Sequence, residues 1–293
     1  MPNNDERPRK TWVMFKKAVK GIALNSLPIG TLVKDPNSTF LGAPVIWKVA
    51  DINHQGYPDN SITLITERIV AIRPFDAMEP NSAIQQNKYC GNNVYSVSNI
   101  RQWLNSDAEA GQWYTAQHSV DQAPTGTYVD NINEYADDSG FLNGFSSEFK
   151  KSLLETTLIA VNKNVTETVI DKIFLPSDEE VGTTSKYISS LNEGLKLAIF
   201  SDNNSRKTYC TAEAIADSEY NIVGYDTKPY YWRLRTPSIY DGQVGEITTD
   251  GTAGCRMAMG NSIGVRPLCN LPSTVRVSET PDERGVYTIV QFG

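Results

Sequence analysis

Apolar and polar positions divide this chain into a strand-patterned beginning, a mixed middle and a strand-patterned end. From Thr11, the apolar residues Phe15, Ala18, Val19, Ile22 and Ala23 recur at helical spacing, with Lys16, Lys17 and Lys20 on the other side. That spacing predicts one amphipathic helix, suited equally to packing on its own domain or to docking on a larger assembly or a lipid surface. After the break Ser26-Leu27-Pro28-Ile29-Gly30, residues 31–34, 43–51 and 61–67 are rich in β-branched side chains and are parted by Pro, Asn, Asp and Gly. They predict an antiparallel start to a sheet. In the middle, Ser98 caps a short helix with Ile100, Trp103 and Leu104 on one face. Ser146 or Ser147 opens a longer one carrying Phe149, Leu153, Leu154 and Leu158. Ser177-Asp178-Glu179-Glu180 reads as a capping box. The polar connectors 119–140 and 201–229 are too long for simple turns, and predict either structured excursions or a binding surface. Strand patterns return at 230–235, 243–249, 254–259, 262–270 and 285–292, separated by turns such as Asp241-Gly242, Asp250-Gly251 and Gly260-Asn261. Strands at both ends with helices between them predict an α+β domain rather than a parallel α/β sheet.

Composition narrows the class. The 293 residues are 40% hydrophobic and 21% charged, with 20 Gly and 15 Pro, which supports a large core and argues against disorder, collagen-like repeats or coiled coil. No apolar run approaches the roughly 18 residues of a membrane helix, so no membrane span is expected, and no secretory signal is read at the start. Net charge is −7, yet Arg7, Arg9, Lys10, Lys16, Lys17 and Lys20 crowd the first twenty residues against only Asp5 and Glu6. An acidic body does not suit nucleic acid, and the basic arm fits a protein-docking role better. The organisation read from these patterns is a basic arm with its amphipathic helix at 1–26, one domain at 27–272, and a C-terminal strand and tail at 273–293.

Candidate chemistry is sparse. The four cysteines, Cys90, Cys210, Cys255 and Cys269, form no C-x-x-C pair and read as reduced thiols, although Cys255 and Cys269 could meet across neighbouring strands. With only His54 and His118 besides, no metal set is expected. His54 reads as a hydrogen-bonding loop residue. The sequence has no G-x-S-x-G, H-E-x-x-H, G-x-x-x-x-G-K-[ST] or strand-linked G-x-G-x-x-G. Asp178, Glu179 and Glu180 read as helix-start carboxylates rather than as an acid–base pair. No catalytic residue and no cofactor is expected, and the chain reads as a non-enzyme.

The distinctive motifs are Tyr230-Tyr231-Trp232-Arg233-Leu234-Arg235-Thr236-Pro237 and Gly264-Val265-Arg266-Pro267-Leu268. An arginine within an apolar strand needs a carboxylate or backbone carbonyls, so Arg235 and Arg266 are expected to clamp strand to loop, with Trp232 beside them. Between the motifs, 238–262 alternates Val244, Ile247, Cys255, Met257 and Met259 with polar positions. Period two would turn Gln243, Glu246, Thr248, Arg256 and Asn261 outward.

The order of four motifs now carries a resemblance. Ser98-Asn99-Ile100-Arg101-Gln102-Trp103-Leu104-Asn105, then Lys172-Ile173-Phe174-Leu175-Pro176-Ser177-Asp178-Glu179-Glu180, then the Trp232 and Gly264 motifs, resemble an uncharacterised domain family of phages and prophages of Gram-positive gut bacteria. That family is similar to the C-type-lectin-like fold shared by formylglycine-generating enzymes and phage tropism determinants. The resemblance spans about Leu27 to Pro272. Arg233 departs from it, standing where the family more often has an aromatic residue. The paired active-site cysteines of the enzyme relatives have no counterpart, so formylglycine chemistry is not implied.

In the tropism determinants a rigid sheet near the chain end carries the variable residues, and 238–262 is similar in placement. The resemblance therefore implies a virion protein, assembled in the host cytoplasm and present as a homo-oligomer or in many copies. Its N-terminal arm would meet other virion proteins. Tyr240, Gln243, Glu246, Thr248, Arg256 and Asn261 would meet a host-surface glycan or protein. The rival expectations are a purely architectural role in capsid decoration or tail and baseplate assembly, and a surface-acting enzyme.

Overall fold

The computed structural model describes residues 21–189 and 191–292. Among the described residues the first regular element is β1 (Ile22–Ala23), where the helical spacing had placed the end of the amphipathic helix. The strand forms because Gly21 sits at φ 73°, so close to the chain that a Cβ there would lie 2.0 Å from the Val277 carbonyl oxygen. A positive φ of this kind ends helical geometry and favours glycine. The remainder of the expected helix lies outside the described residues.

The β-branched runs that follow fold as an antiparallel meander, β2 (Leu32–Phe40), β3 (Ala43–Ile52) and β4 (Ser61–Thr66), with β5 (Ala71–Ile72) after it. Three short helices come next: α1 (Asn87–Cys90), α2 (Asn99–Leu104) and α3 (Ser147–Ser152). The Ser98 hydroxyl accepts from Arg101 N–H and the Ser146 hydroxyl from Phe149 N–H, as their N-cap positions require. α3 is shorter than its apolar spacing suggested. Leu158 lies instead in β6 (Thr156–Asn162), which pairs along its whole length with β7 (Val165–Asp171) across a two-residue turn, with Lys163 at φ 59°.

The middle of the chain thus holds a hairpin as well as helices. After β8 (Ile173–Phe174), the connector 201–229 packs as a structured excursion containing α4 (Asn203–Arg206) and α5 (Ala212–Asp217). The last third supplies β9 (Trp232–Pro237), β10 (Gln243–Ile247), β11 (Ala253–Met257), β12 (Gly264–Val265), β13 (Leu268–Pro272), β14 (Arg276–Val277) and β15 (Val286–Gln291). The run expected at 262–270 is split in two at Arg266-Pro267.

Among the described residues the strands form an eight-stranded sheet in the order β1-β14-β15-β2-β3-β4-β13-β8, a five-stranded sheet in the order β11-β10-β9-β12-β5, and the β6-β7 hairpin. The chain is therefore a mixed, strand-rich α and β protein with largely antiparallel sheets. The tail from 273 onward is woven into the large sheet, where β15 pairs parallel with β2. Trp47, Trp103 and Trp232 are fully buried, and Trp103 packs edge-on against Phe40 and Tyr135 within one continuous apolar core. No helix of the described residues is long and apolar enough to cross a membrane.

Candidate functional site

The arginines of β9 and of the following motif are buried, and each donates to partners inside the protein. Arg235 Nη1 donates to Glu180 Oε2 at 2.6 Å and Nη2 to Glu180 Oε1 at 2.8 Å, a bidentate pair with neither side chain exposed. It donates further to the carbonyls of Leu175, Ile159 and Glu193. Burial alone disfavours its charge, but the facing Glu180 carboxylate outweighs that and holds its pKa above the ordinary value. One cation thus ties β9 to β6, to the segment after β8 and to the 193 loop.

Arg266 is solved differently. Its Nε donates to the Thr66 carbonyl at 3.1 Å, and its guanidinium lies 5.1 Å from the Trp232 ring centroid. Burial pushes it down to about 10, partly offset by Glu67, so it stays cationic at neutral pH. Arg233 is buried too. Its Nη2 gathers the carbonyls of Met257 (2.9 Å) and Gly260 (2.8 Å), pinning the loop after β11.

The segment expected to form a display face does so only in part. The turn from Ser238 to Gly242 is fastened from behind: Asn93 Nδ2 donates to the carbonyls of Tyr240 (3.1 Å) and Gln243 (2.9 Å), and Ser238 Oγ donates to the Tyr187 carbonyl (2.7 Å). On this fixed backbone Ile239 and Tyr240 are 57% and 50% exposed, and the Tyr187 ring stands 6.3 Å from that of Tyr240. Gln243 pairs in register with Met257, which is 43% exposed on β11, the open edge of the five-stranded sheet. Val244 is opposite Arg256, whose guanidinium lies 5.3 Å from the Tyr231 ring centroid. Tyr240, Gln243 and Arg256 therefore share one end of the β10–β11 ribbon, joined by Tyr187 and Met257.

Three expected contact residues lie elsewhere. Glu246 is 2% exposed rather than outward-facing, because it shares a face of β10 with Val244 and this strand, flanked by β9 and β11, is buried on both faces from Val244 to Ile247. It stands opposite Arg233 and meets Arg256 Nη2 at 3.4 Å. Met257 and Cys255, expected inside, are correspondingly exposed and half-buried. Thr248 is at the far end of β10, about 16 Å from Gln243 by strand rise. Its hydroxyl is committed to the turn carboxylate of Asp250, which hydroxyl contacts from Thr248 and Thr252 hold at about 2. Asn261 is engaged inward: Nδ2 donates to the Val129 carbonyl at 3.1 Å.

The remaining groups settle as follows. All four cysteines are free; Cys255 is in the five-stranded sheet and Cys269 is buried in β13 of the other, so they do not pair. His118 Nε2 meets the buried Glu79 at 2.6 Å. His54 Nδ1 meets Asp51 Oδ2 at 2.8 Å, the loop hydrogen bond expected of it. Glu180 does form its capping box with Ser177, Oε2 accepting the Ser177 N–H at 2.9 Å, but a turn rather than a helix follows. Its role as the counter-ion of Arg235, with Tyr57 Oη donating to Oε1 at 2.7 Å, carries no local sequence signal. Among the described residues no group of three His, Cys, Asp or Glu side chains is placed to hold a metal ion.

The family model described as a domain of unknown function (DUF6273) matches residues 60–273, from the start of β4 to just past β13. Neither the curated proteins nor the solved structures contain a match.

Proposed function

We propose that this chain, which belongs to the DUF6273 family, is a non-enzymatic adhesion module of a phage particle, binding a host-surface glycan or protein through the open end of the β10–β11 ribbon. The observation that carries this reading is the cluster of Tyr187, Ile239, Tyr240 and Met257, large apolar side chains left in water on a backbone fixed from behind by Asn93 and the buried arginines. Exposed apolar groups rimmed by polar ones mark interaction surfaces, and tyrosine offers an apolar face for a sugar ring together with a hydroxyl for its edge. Gln243 and Arg256 supply the directional polar contacts. The C-type-lectin-like form of the domain, the virion location and attachment through the basic arm belong to the same reading and rest on the sequence resemblance. Display in many copies would raise avidity by about 10² to 10⁴ where the geometry permits simultaneous contacts, so each site needs only weak affinity.

The test is binding of the full chain to intact Gram-positive gut bacteria and to an array of their surface glycans. Saturable binding that is lost in Tyr240→Ala, Gln243→Ala and Arg256→Ala supports adhesion. Absence of binding, together with incorporation of the chain into assembled particles, overturns it in favour of an architectural role.

A further inference from the structure

β11 ends the five-stranded sheet, and the parity of its ladder decides which of its backbone groups are left over. The Thr248 N–H donates to the Thr252 carbonyl at 2.9 Å and the Ala258 N–H to the Gly242 carbonyl at 2.8 Å, with the pairs Glu246–Gly254 and Val244–Arg256 between them in the same register. Bonded and unbonded pairs alternate in an antiparallel ladder. Even-numbered residues of β11 therefore turn their N–H and C=O toward β10, and odd-numbered ones turn theirs away from it. The Met257 carbonyl accepts from Arg233 Nη2 and from the Gly260 N–H. Among the described residues no group meets the N–H and C=O of Ala253 or Cys255, and both residues are half-buried. An open edge of this kind is a template for another strand.

Spacing and charge decide which strand fits. A second copy of β11, running antiparallel about a two-fold axis at Gly254, sets Ala253 against Cys255 of the second copy and Cys255 against its Ala253, each pair exchanging both N–H···O bonds. Registers centred on Ala253 or Cys255 instead set a free residue against Gly251 or Met257, whose carbonyls are already used by Arg206 and Arg233. At the axis Gly254 stands opposite itself in the close, unbonded kind of pair, about 4.5 Å between Cα atoms, where the lack of a side chain leaves room. The same register matches the charges. Thr252 faces Arg256 of the second copy, which places the exposed Asp250 carboxylate diagonal to that guanidinium, about 7–8 Å away along the backbone and within reach of so long a side chain. Arg256 uses one nitrogen on Glu246, and Asp250 uses one oxygen on the Thr248 and Thr252 hydroxyls, so each has further polar atoms for a partner.

We propose that two copies of this chain pair antiparallel through β11 about a two-fold axis at Gly254, joining their five-stranded sheets into one, with Arg256 of each copy on Asp250 of the other. The pairing stands on the backbone edge and does not depend on the adhesion reading. Tyr240 and Gln243 lie off that edge and stay uncovered, and the five N–H donors of Arg256 suffice for Asp250 and for a ligand. The two Met257 positions stand about 20 Å apart by strand rise, so one dimer carries two ribbon ends.

Sedimentation equilibrium of the full chain tests the pairing. The expected result is a reversible dimer that fills as concentration rises to about 0.1 mM. Its association constant should fall several-fold between about 0.1 and 1 M salt, as the screening length shrinks from about 10 to about 3 Å. Asp250→Asn keeps an acceptor for the turn and should remove that salt dependence. Cys255→Pro deletes an N–H that faces away from β10, and should weaken the dimer at least about tenfold through the bonds lost on both sides of the axis. Cross-linking reads the register in a Cys255→Ser background. Gly254→Cys should give a covalent dimer on mild oxidation, the paired Cα atoms being about 4.5 Å apart, whereas Thr252→Cys, about 13 Å from its counterpart by strand rise, should not. A chain that stays monomeric to about 0.1 mM overturns the proposal on the unmodified protein. A dimer that cross-links through position 252 and not through 254 overturns it as well, whatever the other variants do.

Discussion

β9 and β11 are separated by a single strand in the same sheet, yet they handle polarity in opposite ways. All six residues of β9 are buried, including Arg233, Arg235 and Thr236, and these polar side chains reach across to carboxylates and carbonyls. β11 is the open edge, where Arg256 and the apolar Met257 both face water. Polarity alone therefore does not say which strand faces out. What decides is whether a polar group finds a partner inside, and whether an apolar one has a neighbouring strand to cover it. The inner strand is framework, and the outer one is surface.

The largest expected effect breaks the framework. Glu180→Ala strands the Arg235 charge in the interior and should cost about 3–5 kcal/mol of unfolding free energy in a urea titration. The paired replacement Glu180→Leu with Arg235→Met should restore part of it, since neither member of the ion pair is then left buried without the other, although Glu193 loses its neighbouring cation. A double variant no more stable than Glu180→Ala would show that the ion pair is not the origin of the effect. Arg266→Met should cost less, about 1–3 kcal/mol, because it orphans carbonyls rather than a charge.

Glu193 gives the next signal. Its carboxyl has an ordinary pKa of 4.5 and is raised to about 8 in the fold, chiefly by burial. The folded state therefore holds a proton that the unfolded chain has released. The associated stability is present below the lower value and is lost as pH rises through that window. Glu193→Gln should flatten the decline by up to about 1.4 kcal/mol per pH unit, read as the difference between variant and parent unfolding at each pH. An unchanged slope would place the proton elsewhere. Smallest of all, Tyr240→Ala and Met257→Ala should move stability by less than about 0.5 kcal/mol, since both side chains are in water already.

The same contrast explains what could be read from the residues in order. Local chemistry was legible: Ser98 as a cap and Ser146 or Ser147 as another, the Ser177–Glu180 box, the opening meander, and Arg235 and Arg266 as clamps. Partners far apart in the chain were not. Glu180 and Arg235 are separated by 55 residues, so the box was visible and the ion pair was not. The β6–β7 hairpin carried its signal in the alternation of Val165 to Asp171, but Leu153, Leu154 and Leu158 also fit a helical face, and that spacing competed with it. Glu246 was placed outward, although alternation sets it on the face of Val244, because local sequence does not show that β10 is an interior strand covered on both faces.

The central proposal is that the framework supports a ribbon whose free end binds a host-surface glycan or protein. Amide hydrogen exchange, measured with and without a host-surface glycan that binds the full chain, tests it most directly. The account predicts new protection confined to residues 239–243 and 253–257, with β9 already protected and unchanged. Protection that falls elsewhere and leaves both of these segments unaltered would contradict it.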